Sequence, residues 1–335
     1  MNGAAAVRAQ ECRVDGLDAL RIDNGLLGAL VVPELGAKIL SLVDLATGRE
    51  WMARSRRRLV RPPYGARYAA YDRSGWDECF PGIGEGPYPE HPWAGVVVPD
   101  HGELWTLPWR TELVDGVLRQ HSHGVRFPYA FERRIDFRGG DRLAFAYAVE
   151  SHAALPFKAL WSAHPMLAAS AATRVRLPDG VRVRVDSSRG ERLGGYLAEH
   201  AWPRTRDAGG RDVALDLMGP PDQAHVDKLF STAVPAGWCA LHDEETDDFF
   251  AFAFSPDEVP FVGLAMIRGG WPSDADRDLI AVLEPCNGWP DRLDVAIARG
   301  ACREVPPGGR LTWRLEVRVG RGRERLEAVV AEERS

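Results

Sequence analysis

The chain has 335 residues, 45% of them apolar, so it is long enough to bury a large core in one or two domains. Its net charge of −6 argues against nucleic acid or an anionic membrane surface as a partner, because both require a basic face. No stretch approaches the roughly 18 uninterrupted apolar residues of a membrane span, and the opening residues lack the apolar run of a secretion signal.

The cysteines indicate a reducing compartment. Their number is odd, and no two of them form a CxxC pair. This pattern predicts free thiols in a cytoplasmic protein, with neither a disulfide framework nor a zinc knuckle. The five are Cys12, Cys79, Cys239, Cys286 and Cys302.

Period-two alternation of apolar residues between turns dominates the chain. The segment LLGALVVPELGAKILSLVD predicts one strand that ends at Val32 and a second that runs through Val43. YAFERRIDFRGGDRLAFAYAVES predicts a hairpin around Gly139 and Gly140, and TRVRLPDGVRVRVDSS predicts another around residues 178–180. Further strands are predicted in WCALHDEETDDFFAFAF, FVGLAMIRGG, RDLIAVLEP and RLTWRLEVRVG.

Helical periodicity is nearly absent until the end of the chain, where RERLEAVVAEER places Leu326, Val329 and Val330 on one amphipathic face. Residues 45–110 are rich in Gly, Pro and Trp with little alternation, so we expect long loops over one face, where sites are commonly built. Many strands joined by Gly/Pro turns predict an all-β fold. Without a Pro/Ser linker or a fixed repeat, a single two-sheet sandwich over residues 1–335 is favoured.

Polar side chains are concentrated among aromatic ones in a few short segments. Tryptophan beside carboxylate and histidine suits a sugar, because the C–H face of the ring lies on indole while its hydroxyls pair with charged groups. Eleven tryptophans in a β protein are also consistent with core packing. The segments are SGWDECFPGIGEGPYPEHPWAGVVVPDHGELWTLPW, LWSAHPML, AHVDKLF and VLEPCNGWPD.

Two residues are candidates for acid–base chemistry. His164 follows an apolar strand and precedes a proline, so we place it at a strand end, where a hydrogen-bonded structural histidine is the commoner case. Glu284 ends the apolar run LIAVL, so alternation either buries its side chain or directs it into a cavity. Burial there would raise the pKa of Glu284 toward the range of a general acid or base.

Metal binding is the weaker interpretation of the remaining histidines. His101 with Glu103, and His121 with His123, are two residues apart and would share a strand face, as in β-barrel metal sites. The second pair lies beside charges and a glycine, and an exposed turn is the usual explanation. We expect no metal and no cofactor.

In their order along the chain, these segments resemble those of the aldose 1-epimerase (galactose mutarotase-like) superfamily. VVPELGAKILSLVDLATGREWM is similar to its opening hairpins, GWDECFP and HGELWTLPW to the loops that carry its first histidine, and LWSAHPML to its catalytic-histidine segment. HVDKLF, VLEPCNGWPD and VPPGGRLTWRLEVRVG resemble its aspartate segment, its catalytic-glutamate segment and its closing strand. Galactose mutarotases themselves carry NHTYFNL-like and ETQ-like strings where this chain has SAHPML and LEPC, so the resemblance is that of a divergent member.

The resemblance implies a large antiparallel β-supersandwich with few short helices and a groove in which a sugar changes anomer. It implies Glu284 as the base that takes the C1 hydroxyl proton, and protonated His164 as the acid that protonates the ring oxygen. The partner is then a small-molecule sugar, and the protein a monomer or homodimer. The residues expected to bind the sugar are His101, Asp227, Trp161, Trp289, Asp77 and Arg73.

Two other functions stay open. A carbohydrate-binding or regulatory protein would keep the groove without turnover, since one fold hosts many functions. The presence of both His164 and Glu284 favours catalysis, because a pure binder does not need an acid–base pair. An epimerase of the same fold acting on an anionic sugar, such as a hexose 6-phosphate, would hold the anionic group with arginines near the loops.

Overall fold

Alternating apolar residues build two large antiparallel sheets in the computed structural model, which describes residues 7–333. Strands are numbered β1–β26 in chain order. Within the described range the larger sheet has 12 strands. In spatial order they are β1 (Arg8–Val14), β2 (Leu17–Asp23), β3 (Leu27–Val32), β4 (Lys38–Asp44), β6 (Trp76–Cys79), β14 (Ser162–Ala168), β24 (Leu279–Cys286), β23 (Phe261–Arg268), β20 (His225–Ser231), β16 (Arg182–Ser188) and β17 (Glu199–Ala201), with β5 (Arg49–Glu50) paired to β4.

The smaller sheet has eight strands in the same range, and three short ribbons lie outside both sheets. Its spatial order is β15 (Thr173–Arg176), β21 (Trp238–Asp243), β22 (Asp248–Phe254), β26 (Arg310–Arg321), β12 (Arg142–Ser151), β11 (Tyr129–Asp136), β10 (Val117–His123) and β9 (Arg110–Val114). The ribbons are β7 (Gly86–Pro87) with β8 (Val97–Val98), β13 (Phe157–Ala159) with β25 (Arg303–Val305), and β18 (Arg204–Arg206) with β19 (Asp212–Ala214).

Helices are short and few in residues 7–333, which confirms the predicted all-β class. The C-terminal helix α2 (Arg323–Glu332) was predicted, and it packs Leu326, Val329 and Val330 on the outer face of the smaller sheet. Helix α1 (Leu293–Ala298) was not predicted, because six residues are too few to show helical periodicity. Four 3₁₀ turns complete the set, at Tyr68–Ala70, Leu104–Thr106, Arg189–Glu191 and Pro221–Gln223.

Two of the predicted strand pairs are confirmed and a third is wrong. The β3–β4 and β11–β12 hairpins have the predicted turns. The turn at residues 178–180 does not close a hairpin: β15 joins the smaller sheet beside β21, whereas β16 joins the larger sheet between β20 and β17. Alternation identifies a strand but not its partner, so a turn that carries the chain from one sheet to the other has the same local pattern as a hairpin.

The core lies between the two sheets, and β6 shows how alternation divides its residues. Trp76 stacks on Phe145 of the smaller sheet, with ring centroids 4.8 Å apart. Glu78, two residues on, points to the same side, where its carboxylate accepts a 2.8 Å hydrogen bond from the fully buried guanidinium of Arg133. Asp77, between Trp76 and Glu78, therefore points to the opposite face of the larger sheet.

That opposite face is covered by loops, as the composition of residues 45–110 predicted. Tyr68 and Trp105 pack there on Met166, Ile267 and Val282 of the larger sheet, in a cluster separate from the main core. We call residues 53–75 and 99–107, which flank β6 in the sequence, the loop layer. The larger sheet is therefore buried on both faces where the loop layer lies.

No helix within residues 7–333 has the length and apolar character needed to cross a bilayer. All five cysteines are free, as their number and spacing predicted. Residues 1–6, which belong to the segment considered above as a secretion signal, lie outside the described residues, as do 334 and 335.

Substitution of two neighbouring arginines on β11 tests how much the buried ion pair between Arg133 and Glu78 stabilises the fold. Arg133→Met should lower the free energy of unfolding by about 3–5 kcal/mol, because it leaves the Glu78 carboxylate buried without its partner. Arg134, whose side chain is 50% exposed and pairs with Glu132, is the matched control. Arg134→Met should change the unfolding free energy by no more than about 0.5 kcal/mol. Urea denaturation measures both, and equal losses would contradict this account.

Candidate active site

Three polar residues form a row across the larger sheet, on the face beneath the loop layer. The register places His164 of β14 opposite Asp77 of β6 on one side and level with Glu284 of β24 on the other. His164 is the third residue of its strand, so its predicted place at a strand end is wrong. The ladder between β14 and β24 is interrupted beside it, where Pro165 has no N–H to donate.

Each member of the row has a buried polar atom that lacks a hydrogen-bond partner among residues 7–333: Asp77 Oδ1, His164 Nδ1 and Glu284 Oε1. The side chains are almost completely buried, with His164 5% exposed and both carboxylates at 0%. Buried polar atoms in folded proteins are nearly always hydrogen-bonded. Three exceptions on adjacent strands mark a place where a ligand or water would complete the bonding.

A lysine holds the carboxylate at each end of the row. Lys38 Nζ lies 2.6 Å from Asp72 Oδ2 and 3.1 Å from Asp77 Oδ2. Lys228 Nζ lies 2.5 Å from Glu284 Oε2 and 3.2 Å from an oxygen of Asp291. The whole chain has three lysines, and two of them are used here.

Burial and the lysines shift the pKa values of Asp77 and Glu284 in opposite directions. Burial raises the pKa of Asp77 to about 6 although Lys38 opposes it, and burial likewise raises the pKa of Glu284 against the effect of Lys228. For the pKa values of the two lysines, the neighbouring charges together have a larger effect than burial. Burial disfavours their charge, but the surrounding carboxylates outweigh it and the pKa of each lysine is raised. The site therefore keeps two buried ammonium groups charged.

The surroundings of His164 favour its neutral form, whereas the resemblance implied a protonated acid. Burial lowers the pKa of His164 well below its ordinary value of 6.5, and the positive charges of His101, Lys228 and Lys38 lower it further. The imidazole thus lies between two lysine-bound carboxylates in surroundings that disfavour its charged form.

His101 reaches the row from a strained turn of the loop layer. It has φ +60°, and Gly102 follows at φ +73°. A Cβ on Gly102 would lie 2.3 Å from the carbonyl oxygen of Phe80, so only glycine fits there. Glu103 braces this turn by accepting hydrogen bonds from the hydroxyls of Tyr64 (2.6 Å) and Tyr129 (2.8 Å), and it takes no place in the row.

The ring of His101 is oriented by its neighbours. Asp100 Oδ1 lies 2.8 Å from His101 Nδ1, and Tyr68 stacks on the imidazole with centroids 4.2 Å apart. The His101 and His164 rings meet edge to face at 4.8 Å. Burial raises the pKa of Asp100, but the hydrogen bond and charge of His101 outweigh this and the net pKa is lowered. The two histidines therefore form a contact pair with one carboxylate behind it.

The binding roles predicted for Asp227 and Trp161 are wrong, because both residues point to the other face of the sheet. Asp227 is buried and bound by Arg192 and by Arg268 (2.9 Å), whereas its neighbour Lys228 faces the row. Trp161 is completely buried between the sheets, and its indole N–H donates to Glu78. The resemblance identified the right segments, but a shift of one residue on a strand reverses the face.

Arg73 and Trp289 lie at the margins, and their binding roles stay predictions. Arg73 has φ +53°, and its guanidinium lies over Trp271 at 5.0 Å. Its Nε is buried and finds no hydrogen-bond partner in the described part of the chain. It lines a cavity of about 240 Å³ that Asp72 also borders. Trp289 is covered by the guanidiniums of Arg184 and Arg299, at 4.6 and 5.4 Å.

Several residues of the candidate site were not predicted. Lys228, Asp291 and Asp100 lie within quoted segments and Tyr68 within residues 45–110, but a single sequence does not show which of them converge. Asp186 was missed entirely, since it is the extra residue of a bulge between Val185 and Ser187 on β16. The rarity of lysine was the one available signal, because a chain with three lysines has little reason to place two in apolar strands.

Neither the other histidine pair nor the groove on the smaller sheet carries comparable chemistry. His121 and His123 lie on β10, not in the predicted turn, and residues 7–333 hold no group of three or more potential metal ligands. A groove of about 780 Å³ lies on the smaller sheet, lined by residues such as Arg142, Glu316 and Arg318. These side chains pair with one another, so their charges are already satisfied.

Comparison with known proteins identifies the fold. No family model matches the sequence, and no curated protein matches it. Solved structures do match. A galactose mutarotase-like protein from Clostridium acetobutylicum has TM-score 0.64 and 12% identity over 96% of this chain and 100% of its own. A galactose mutarotase related enzyme from Lactobacillus acidophilus has TM-score 0.63 and 14% identity over 90% and 97%.

A third neighbour, a galactose mutarotase-like protein from Lactobacillus casei, has TM-score 0.58 and 16% identity over 90% of this chain and 100% of its own. At such identities the likeness is one of fold. The chain has the galactose mutarotase-like fold, and its sequence has diverged far from these neighbours.

The neutral state of His164 predicts a pH dependence of stability. Below about pH 6.5 the unfolded chain takes up a proton at this residue and the folded protein does not, so stability is lost as the pH falls. His164→Asn removes that loss. From pH 7 to pH 5 the variant should gain on the wild type by up to about 1.4 kcal/mol per pH unit in urea denaturation. His123→Asn, at an exposed strand end, is the control. Parallel pH profiles of His164→Asn and wild type would contradict a neutral buried imidazole.

Proposed function

We propose that this protein interconverts the α and β anomers of an aldose or a sugar derivative. The observation that carries the proposal is the row of Asp77, His164 and Glu284, with unsatisfied polar atoms under the loop layer in residues 7–333. A carboxylate and an imidazole side by side are the two groups that ring opening requires.

We also propose that the chain forms one domain, because β4, β14 and β24 come from distant parts of the sequence and share one sheet.

The proposed reaction needs one base and one acid. Glu284 Oε1 takes the proton from the C1 hydroxyl, the C1–O5 bond breaks as the C1 carbonyl forms, and O5 receives a proton. The open-chain aldehyde rotates about the C1–C2 bond. Ring closure on the other face returns both protons, so the site is regenerated without a cofactor or a covalent intermediate.

We assign delivery of the proton to O5 to His101, and give His164 the role of a hydrogen-bonding partner of the sugar. A carboxylate bonded to Nδ1 stabilises the charged form of an imidazole, and Asp100 stands in that position to His101. His164, which is neutral, then supplies a hydrogen bond to the sugar, with Nδ1 as the unsatisfied atom within the described residues. This division of roles agrees with the lowered pKa of His164 and the lowered pKa of Asp100.

Other features support the proposal. One structure of the same fold is named a galactose mutarotase related enzyme. Free thiols fit the cytoplasmic location expected of an enzyme of sugar metabolism. Asp77 and Arg73 remain the proposed contacts to sugar hydroxyls, and the cavity of about 240 Å³ beside Arg73 is a place for part of a larger or anionic sugar.

Glu284→Gln tests the base. The variant should keep the fold and bind sugar, but lose anomer exchange by about 10²–10⁴-fold, the usual contribution of a general base. The measurement is NMR exchange on a panel of single anomers that includes hexose 6-phosphates and uronic acids. Glu304→Gln, at an exposed position on β25, is the matched control. Exchange by Glu284→Gln at the wild-type rate would rule out this assignment.

A binding protein without turnover is the second candidate. The observation in its favour is that Glu284 is completely buried and already engaged by Lys228 in the ligand-free protein. Sugar-dependent shifts in melting temperature, with no exchange by the wild type on any anomer of the panel, would establish that function instead.

The two histidines are expected to affect the pH–rate profile differently. His101→Asn removes the proposed donor of the O5 proton, so the rate should be low at every pH and show no fall at high pH. His164→Asn should lower kcat while keeping that fall, because a neutral residue does not produce it. Rates from pH 5 to 9 decide between them. Loss of the high-pH fall in His164→Asn alone would reverse the assignment.

A further inference from the structure

The two oxygens of the Glu284 carboxylate have different surroundings. Oε2 accepts a hydrogen bond from Lys228 Nζ at 2.5 Å, whereas Oε1 is buried and has no partner within residues 7–333. The adjacent strand β23 makes room for this arrangement at Gly263, where a Cβ would lie 2.9 Å from Glu284 Oε2. Contacts on two neighbouring strands therefore fix which oxygen is bound and which is available.

Lys228 is itself held in place. Its ammonium contacts Asp291 at 3.2 Å and lies 5.0 Å from the centroid of the Phe230 ring. Its side chain is 12% exposed. Asp186 lies at the bulge on β16, and its charge helps to raise the pKa of Lys228. The buried cation therefore contacts two carboxylates and is influenced by the charge of a third.

We infer that Lys228 is a positioning residue for Glu284, which binds Oε2, keeps the carboxylate ionised and leaves Oε1 free to accept the C1 hydroxyl proton. This inference rests on the proposed anomer interconversion. It assigns to Lys228 a role in the reaction that does not require contact with the sugar.

The physical reason is the cost of a buried charge. A carboxylate with no exposed surface takes up a proton unless a cation compensates the lost hydration, and a protonated Glu284 cannot act as the base. Asp291 contacts the lysine and Asp186 acts on it through its charge, so both limit how far Lys228 weakens Glu284 as a base. Burial, together with the charges of Asp291 and Glu284, raises the pKa of Asp186 to about 7, with Lys228 acting in the opposite sense.

Several titratable groups besides Lys228 act on Glu284, and any pH dependence includes them. They are Asp291 of the loop after β24, Asp186 of β16, His101 of the loop layer, Cys79 of β6 and Cys286 of β24 itself, and His164 of β14 lies level with Glu284. Substitution of Lys228 alone leaves this set unchanged.

The test compares Lys228→Met with Lys228→Arg, and uses Lys158→Met as control, because Lys158 pairs with Glu90 at the surface. The Glu284 carboxyl is followed by ¹³C NMR with labelled glutamate, assigned through Glu284→Gln. In Lys228→Met its titration midpoint should rise by about one to three pH units, and the low-pH limb of the pH–rate profile should rise with it. At pH 7, kcat should fall by about ten-fold or more with a smaller change in KM. Lys228→Arg should restore both, and Lys158→Met should change neither.

The outcomes separate the inference from the proposed function. An unshifted Glu284 titration in folded Lys228→Met overturns the positioning role, whatever the activity. Absence of anomer exchange in the wild type overturns the proposed function, whatever the titration. If circular dichroism shows Lys228→Met to be unfolded, Lys228→Gln takes its place, since it keeps a hydrogen-bond donor and removes the charge.

Discussion

Burial of the larger sheet on both faces is the constraint on which the site depends. The smaller sheet covers one face and the loop layer covers the other, so a charge on either side has little water to solvate it. Each carboxylate at the centre of the sheet has accordingly acquired a cation. Toward the core, Glu78 is paired with Arg133. Toward the loops, Asp77 is paired with Lys38 and Glu284 with Lys228.

The carboxylates on the two faces of the larger sheet are paired with different cations, and the pairs differ in how completely they are hydrogen-bonded. On the core side, Arg133 bonds to the Glu78 carboxylate and also to Gln120 and the carbonyl of Ala37, so its planar donor set is largely consumed by the protein. On the loop side, each lysine pairs with one oxygen of a row carboxylate, and the other oxygen has no partner in the described residues. The first arrangement is complete and structural. The arrangement on the loop side leaves one oxygen of each row carboxylate without a hydrogen bond, as expected of a binding site without its ligand.

The loop layer contributes His101, a side chain that no strand of the larger sheet could place above His164. A strand offers one side chain every second residue, and the row has no further position for a group above His164. The strained turn at His101 and Gly102 supplies it from outside the sheet, with Glu103 and Tyr68 as supports. This turn has strained backbone angles. Five hydrogen bonds to the buried Glu103 carboxylate hold the loop in place and offset the cost of that strain.

The sequence by itself determined the strands, the fold class and the segments that form the site, because alternation and turn residues are local properties. Glu284 was identified from its place at the end of an apolar run, and His164 from its segment. Only the tertiary structure decided which residues of those segments meet. Asp227 and Lys228 are adjacent in sequence and face opposite sides of one strand, and the protonation state of His164 depends on lysines 126 residues before it and 64 residues after it. Pairing between distant strands sets these contacts, and a single sequence does not record it.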